Sequence, residues 1–167
     1  LELGGKAPFI VMADADIDLA VRSAVTSRYM NCGQVCICNE RTLVQREVYD
    51  DFVQRFVAAS AALRIGSPFD ERTDLGPKVS LQELEKVERC VQQAVADGAQ
   101  LALGGHRPAQ PPTPGGYWFS PTVLTHVDPA MEVMRREIFG PVLPIVAFDR
   151  FDDALRIVND SRYGLSA

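Results

Sequence analysis

The sequence has little of what several classes of protein require. It contains only two histidines and one tryptophan among 167 residues. No apolar run approaches the roughly 18 residues that a membrane helix requires. The net charge of −5 disfavours nucleic acids and anionic membranes as partners. The apolar content of 47 % is ordinary for a globular domain, so we expect one domain that binds neither nucleic acid nor membrane.

The four cysteines are placed unevenly, and their arrangement argues against two structural uses. Cys32, Cys36 and Cys38 lie within seven residues, and Cys90 stands alone. Disulfide frameworks are typical of small secreted chains with dispersed cysteines, and structural zinc normally takes paired Cys-x2–4-Cys units. The two histidines lie far along the chain from these cysteines. We therefore predict reduced thiols, a cytoplasmic location and no metal site.

The order of periodic segments predicts an α/β fold. Strands are predicted at 7–12, 41–45, 99–103, 117–119, 122–125 and 142–148. Amphipathic helices are predicted from Ile17 onwards and at 47–63, 80–96 and 152–159, with one helical turn at 131–136. Asp14 or Asp16 is expected to cap the first helix and Ser80 the third. The alternation indicates a largely parallel, twisted sheet flanked by helices.

Cys36 is a candidate nucleophile, because it follows Gly33-Gln34 in a loop between a helix and a strand. A thiol attacks as the thiolate, and its pKa of about 8.5 falls near a cation or a helix N-terminus. A backbone N–H in such a loop can stabilise the oxyanion that forms at an attacked carbonyl. Glu2, beside apolar residues and two glycines, is a candidate base. The alternative is that Cys36 is a small buried hydrophobe and Glu2 a solvated charge.

Four motifs resemble blocks of the NAD(P)-dependent aldehyde dehydrogenase superfamily, and they stand in the family's order. They are Leu1-Glu-Leu-Gly-Gly-Lys6, Asn31-x-Gly-Gln-x-Cys36, Glu137-Ile-Phe-Gly-Pro-Val142, and Asn159 with Tyr163-Gly-Leu165. The first resembles the family's glutamate motif and the second its cysteine motif. The 34 positions between Glu2 and Cys36 match the family's spacing. The sequence around Cys36 is most similar to the lactaldehyde and glycolaldehyde dehydrogenase branch.

The resemblance implies that a small aldehyde is oxidised to its carboxylic acid with NAD or NADP. Cys36 would attack the aldehyde, hydride would leave to the cofactor, and Glu2 would activate the water that cleaves the resulting thioester. Glu137 matches a residue that binds the nicotinamide ribose, Phe139 matches one beside the nicotinamide, and Leu3 is a further expected cofactor contact. The expected substrate contacts are Tyr29, Met30, Val35 and Ile37.

Details around the cysteine motif bear on substrate and redox chemistry. Met30 is apolar where semialdehyde-oxidising relatives carry an arginine, which disfavours a carboxylated substrate, although Arg28 leaves that substrate class open. Cys32 and Cys38 are interpreted as small hydrophobes. Cys38 is also a candidate for a reversible disulfide with Cys36 under oxidation.

The resemblance further implies that the chain is a piece of a longer enzyme. Residues 1–5 match the edge of a cofactor-binding domain, and residues 6–167 match the thiol-bearing catalytic domain, truncated at both ends. The isolated piece is expected to be inactive, because the family's phosphate-binding turn would precede Leu1. The parent is expected to be a homo-oligomer, a dimer or tetramer. Two alternatives stay open: an inactive structural or interaction module, and an acylating enzyme that passes the thioester to coenzyme A.

Overall fold

One five-stranded sheet forms the centre of the structure, a computed structural model that describes residues 3–167. The strands are Ala7–Val11 (β1), Asn39–Gln45 (β2), Gln100–Leu103 (β3), Thr122–Thr125 (β4) and Val142–Phe148 (β5). The helices are Ile17–Tyr29 (α1), Arg46–Ala61 (α2), Leu81–Ala96 (α3), Glu132–Arg135 (α4) and Phe151–Asn159 (α5), and Met30–Gly33 forms a short 3-10 turn.

The strand order is β1-β2-β5-β4-β3. The pairs β1–β2, β2–β5 and β5–β4 are parallel, and only β3 runs antiparallel to its neighbour. The predicted α/β class with a largely parallel sheet is therefore confirmed. In the part of the chain that the structure describes, no helix is long and apolar enough to cross a membrane.

Two helices begin at the predicted capping residues. The Asp16 carboxylate accepts the Leu19 N–H at 3.0 Å, so Asp16 rather than Asp14 caps α1. The Ser80 hydroxyl accepts the Glu83 N–H at 3.2 Å at the start of α3. Each cap satisfies an amide that the helix itself leaves without a partner.

Apolar side chains cover both faces of the sheet, because successive strand residues point to opposite sides. In β2, Leu43 packs in the cluster that contains the buried face of α3, and Val44 packs with α1 and α2. In β4, Leu124 and Val123 divide between the same two clusters. The sheet is therefore sandwiched between two helical layers, as predicted for this fold class.

The strand predicted at 117–119 is wrong. These residues form no ladder with another strand, although Trp118 and Phe119 are buried. The Tyr117 carbonyl accepts the Lys78 N–H at 2.8 Å, so the segment packs on the loop before α3. The aromatic run reflects burial of a connecting segment, a signal that periodicity cannot separate from a short strand. Residues 109–115, which precede this segment, all lie on the surface.

Three loop segments meet where neighbouring parallel strands begin. Ala7 pairs with Asn39 in the β1–β2 ladder, and Thr42 pairs with Ile145 in the β2–β5 ladder, so the three strands start at the same edge. The segments that precede them are residues 3–6, residues 31–38, called the cysteine loop here, and residues 137–141, called the 137–141 loop. The fold thus brings three of the sequence motifs together.

Candidate active site

The cysteine loop begins with a run of left-handed backbone. Asn31, Cys32 and Gly33 have φ values of 49°, 59° and 70°. For residues other than glycine this conformation costs roughly 1–2 kcal/mol each. Strained backbone of this kind tends to persist at functional sites, where surrounding contacts hold it.

Gln34 supplies contacts that hold the run. Its amide nitrogen donates to the Asn31 carbonyl at 3.0 Å, and its side-chain oxygen accepts the Val79 N–H at 2.8 Å. The glutamine of the motif thus fixes the turn internally and ties it to the residue before the Ser80 cap of α3. Its structural role explains why a long amide side chain precedes Cys36 by two positions.

Cys36 is the accessible thiol of the cysteine loop. It lies in a turn in which the Cys38 N–H donates to the Val35 carbonyl at 3.1 Å, and it is only half-buried. Cys32 and Cys38 are buried, which confirms their interpretation as small hydrophobes. Burial raises the pKa of Cys32 to about 11 and also raises the pKa of Cys38. Both flanking thiols are therefore poor nucleophiles at neutral pH.

Two glycines allow the loops to touch. A Cβ on Gly5 would lie 2.0 Å from the Cys36 carbonyl oxygen, and a Cβ on Gly33 would lie 2.3 Å from the Gly140 carbonyl oxygen. Any larger residue would push these backbones apart. Gly5 and Gly33 therefore set the spacing between Cys36, the segment before β1 and the 137–141 loop.

Glu137 faces the segment before β1. Its Oε1 accepts the Gly5 N–H at 2.7 Å, and its own N–H donates to the Tyr163 hydroxyl at 3.5 Å. A Cβ on Gly4 would lie 3.3 Å from the Tyr163 ring. The fourth sequence motif thus joins the same edge of the sheet as the other three.

Phe139 adopts a left-handed conformation beside two cations. Its φ is 55°, and its ring centroid lies 5.5 Å from the Lys78 ammonium and 5.9 Å from the Lys86 ammonium. Lys78 also donates to the Phe139 carbonyl. Lys78 is buried, and this burial lowers the pKa of its ammonium to about 8.

A buried carboxylate, Glu40, lies beneath the loops. One oxygen accepts from the Lys6 ammonium at 2.9 Å and the Ile138 N–H at 2.9 Å. The other is 3.1 Å from the Arg28 guanidinium and accepts the Phe139 N–H at 3.0 Å. Burial alone would raise the pKa of Glu40, but the two cations and the hydrogen bonds outweigh it and lower the pKa to about 2. Glu40 is therefore charged at neutral pH.

Arg28, which left a carboxylated substrate open, is engaged inside the protein. Its side chain is fully buried, pairs with Glu40, and donates to the Gly33 carbonyl at 2.9 Å and the Asn39 carbonyl at 2.8 Å. A guanidinium so engaged cannot bind a substrate carboxylate, because its donors point into the protein. Arg28 is a structural cation of the cysteine loop.

The predicted substrate contacts fall into different environments. Met30 and Ile37 are exposed and line a cleft of about 420 Å³ with residues of α1. Tyr29 instead lies in the core, where its ring stacks on Phe56 and its hydroxyl bonds to Ser60 at 3.0 Å. This position differs from the expected one, since helical spacing turns Tyr29 towards α2 rather than towards the cleft. Val35 is half-buried and does not line that cleft.

Two predicted residues lie at the start of the chain. Glu2 falls outside the residues that the structure describes, so its role as a base stays a prediction. Leu3 is 73 % exposed, and its expected contact with a cofactor likewise stays a prediction. Across residues 3–167, no group of three or more His, Cys, Asp or Glu side chains is placed to hold a metal ion.

Sequence reasoning missed the buried charges. Glu40 and Arg41 are consecutive charged residues inside a strand of seven residues, six of which are buried. Arg41 donates to the carbonyls of Lys6, Ile157 and Val158 at 2.8–3.0 Å. Charged residues are rarely buried unless they are paired, so charges in an otherwise buried strand were the available signal.

The fold and site define an α/β domain with an accessible thiol beside a carboxylate-bearing loop. The chain belongs to the aldehyde dehydrogenase family, whose sequence model matches residues 1–167. It is 48 % identical over 166 residues to a 3,6-anhydro-alpha-L-galactose dehydrogenase from Vibrio sp. (strain EJY3), covering 99 % of this chain and 35 % of that protein.

Two further relatives agree in sequence and in structure. A lactaldehyde dehydrogenase from Escherichia coli (strain K12) is 49 % identical over 169 residues, covering 100 % of this chain and 34 % of that protein. The solved structure of 3,6-anhydro-L-galactose dehydrogenase in complex with NAP superposes with a TM-score of 0.96 at 48 % identity, over 99 % of this chain and 35 % of that one. The chain thus spans about a third of the length of these relatives.

Proposed function

We propose that the protein carrying this chain is an NAD(P)-dependent aldehyde dehydrogenase that oxidises a small aldehyde to its carboxylic acid through Cys36. The observation that carries the proposal is the position of Cys36. It is the accessible thiol of a strained loop whose backbone touches both the segment before β1 and the 137–141 loop. Residues 6–167 then form the thiol-bearing catalytic domain, and residues 1–5 form the edge of the cofactor-binding domain.

The residues beside the 137–141 loop fit one end of a nicotinamide dinucleotide. Glu137, Ile138 and Lys86 help to line a cleft of about 340 Å³. A carboxylate and an ammonium in one cleft suit the hydroxyl groups of a ribose, and the ring of Phe139 offers an apolar surface to a planar base. The bound cofactor would supply a hydride acceptor.

The chain's own residues account for the other steps. The Cys36 thiolate attacks the aldehyde carbon, forming a C–S bond and an oxyanion, which the loop backbone stabilises. When the C=O bond re-forms, hydride leaves from carbon and a thioester remains on Cys36. The Glu2 carboxylate removes a proton from water, the resulting hydroxide attacks the thioester carbon, and the C–S bond breaks to release acid and thiolate.

The apolar side chains beside the cysteine loop favour an uncharged substrate, and the exposed Arg22 is the one cation among the described residues that line the same cleft. Met30 and Ile37 present apolar surface beside the cysteine loop, and Arg28 is engaged within the protein. Relatives that carry the names lactaldehyde and anhydrogalactose dehydrogenase are consistent with small, neutral aldehydes. We further propose that the protein is a cytoplasmic homo-oligomer. All four cysteines are free, as is usual for proteins of a reducing compartment such as the cytoplasm.

The test is replacement of the proposed nucleophile in the full-length protein. Cys36→Ser is expected to lower aldehyde-dependent NAD(P)H formation by at least about 1,000-fold, because a neutral hydroxyl is a far weaker nucleophile than a thiolate. Cys38→Ala, which removes the neighbouring buried thiol, is the matched control and keeps activity within about 3-fold. Normal turnover by Cys36→Ser, or equal losses in both variants, would contradict the proposal.

A non-catalytic structural or interaction module is the second candidate for the chain on its own. It is favoured by the coverage of only a third of the relatives' length. Aldehyde-dependent NAD(P)H formation by the isolated chain would exclude this candidate. An acylating enzyme is separated from the hydrolytic one by product analysis, since only the former yields an acyl-coenzyme A.

A further inference from the structure

We infer that Glu40 is a positioning residue that fixes the cysteine loop against the 137–141 loop, so that Cys36 and Phe139 meet the same substrate and cofactor. This inference rests on the proposed function. It concerns a residue that contacts neither reacting group. The two loops are separated by about a hundred residues in sequence, and Glu40 is bonded to one directly and to the other through Arg28.

Glu40 bonds directly to the backbone of the 137–141 loop. Each Glu40 oxygen accepts one backbone N–H of the 137–141 loop, from Ile138 and from Phe139, at 2.9 and 3.0 Å. A carboxylate that accepts two successive amides fixes both the position and the orientation of that backbone, because each bond is directional. The loop therefore cannot rotate about Glu40 without losing a charge-assisted bond.

Arg28 connects Glu40 to the cysteine loop. Arg28 lies 3.1 Å from Glu40 and donates with its other terminal nitrogen to the Gly33 carbonyl, three residues before Cys36. The planar guanidinium makes this a rigid connection. Gly33 in turn abuts Gly140, so a displacement of either loop is transmitted to the other.

Phe139 has a strained backbone that its neighbours must hold. Its φ of 55° lies in the left-handed region, which is unfavourable for a residue with a side chain. The residue is held at both ends, its N–H by Glu40 and its carbonyl by Lys78. Hydrogen bonds to charged groups are stronger than those between neutral groups, so these two bonds oppose that strain. Without Glu40 the phenyl ring would lose its imposed direction.

The test is the Glu40→Gln variant of the full-length enzyme. A glutamine carbonyl can replace one carboxylate oxygen, but its NH₂ group only donates, so one loop amide loses its acceptor. Two properties that each depend on only one of the loops are expected to survive: the reactivity of Cys36 and the binding of the cofactor. Alkylation of Cys36 by iodoacetamide and the dissociation constant of the cofactor should stay within about 3-fold of wild type.

Hydride transfer needs both loops in register, and it should slow. The expected change is a decrease of about 10- to 100-fold in the rate of the NAD(P)H burst, since misplacement by about 1 Å costs that much. The primary isotope effect with 1-deuterio aldehyde should rise at the same time. The burst amplitude per folded enzyme should be unchanged. A purely structural role would lower the burst amplitude per total enzyme, because less enzyme is folded, and would leave the burst rate within 2-fold of wild type; that result would overturn the inference.

Controls separate this inference from loss of folding and from failure of the proposed function. Glu88→Gln makes the same chemical change at a carboxylate paired with Arg107. Leu124→Ala destabilises the core at β4, a strand that supplies none of the described hydrogen-bond or ion-pair partners of Glu40. Both should keep the wild-type burst rate.

If Glu40→Gln does not fold, the double variant Arg28→Met/Glu40→Gln is the second test, because it also removes the buried Arg28 cation that Glu40→Gln leaves without its carboxylate. A wild-type burst rate in the double variant would overturn the inference. Absence of any burst in the wild-type enzyme would instead refute the proposed function.

Discussion

Glu40 and Glu88 are both glutamates paired with an arginine, but Glu40 is fully buried and Glu88 is a half-buried residue at the surface. Glu88 bonds Arg107 through two contacts of 2.6 and 2.7 Å, with the arginine half exposed to water. Glu40 is fully buried and divides its oxygens between two cations and two backbone amides. The comparison shows that burial and backbone partners, rather than the ion pair itself, turn a carboxylate into a structural constraint.

Removing the buried carboxylate should have the largest effect on stability. Glu40→Gln leaves Lys6 and Arg28 as buried cations without a counter-charge, so we expect the free energy of unfolding at pH 7 to fall by about 3–5 kcal/mol. Glu88→Gln should change it by less than about 1 kcal/mol. Urea unfolding of both variants measures the difference. Equal decreases in the free energy of unfolding would show that burial does not make Glu40 more important for stability than Glu88.

Wild type and the Glu40→Gln variant should differ in their stability in acid. The pKa of Glu40 is about 2 in the folded chain and near 4.5 when unfolded, so its contribution is complete above pH 4.5 and is lost as the pH falls towards 2. Wild type should therefore lose about 2 kcal/mol more than Glu40→Gln between about pH 5 and pH 3. Urea titrations across this range test the sign, and parallel pH profiles would show that Glu40 is not responsible.

A glycine substitution tests whether the loops depend on backbone contact as well as on charge. Gly5→Ala places a methyl group 2.0 Å from the Cys36 carbonyl oxygen, so the loop must shift, at a cost of about 1–3 kcal/mol. The alkylation rate of Cys36 should change with it. Gly76→Ala is the matched control, because its Cβ would meet no atom within 4 Å. Unaltered alkylation in Gly5→Ala would show that the contact is unimportant for the thiol.

Lys78 provides the smallest expected effect, in the alkaline range. Its pKa falls from 10.5 to about 8 on burial, so the unfolded chain binds more protons and the free energy of unfolding should rise with pH above about 8. The rise attributable to Lys78 is about 1–2 kcal/mol between pH 8 and about 9.5, and it should be missing in Lys78→Met. If the free energy of unfolding rose equally with pH in both proteins, Lys78 would not be the cause of the rise.

The sequence predicted those parts of the molecule that depend on local patterns. Helical spacing and capping residues located α1 and α3, and the alternation of segments indicated the parallel sheet. The family motifs pointed to Cys36 among three neighbouring thiols, and the structure shows it to be the accessible one.

Local patterns did not identify the features that depend on distant partners. Tyr29 was expected to contact a substrate, and Arg28 left a carboxylated substrate open, but their environments are set by α2 and by Glu40. The carboxylate of Glu40 bonds amides 98 and 99 positions away, a pairing that no spacing rule encodes. The same limit explains the error at 117–119, where burial and not strand pairing accounts for the aromatic residues.

The distance in sequence between Glu40 and its amide partners has a consequence for biosynthesis. At roughly 5–20 residues per second, a ribosome needs about 5–20 s to pass from the cysteine loop to Ile138 and Phe139. During that interval Glu40, Lys6 and Arg28 have been made, but the backbone that completes their cluster has not. Cys36 is therefore synthesised before the backbone amides that complete the Glu40 cluster, and the site can form only after the chain has been made as far as β5.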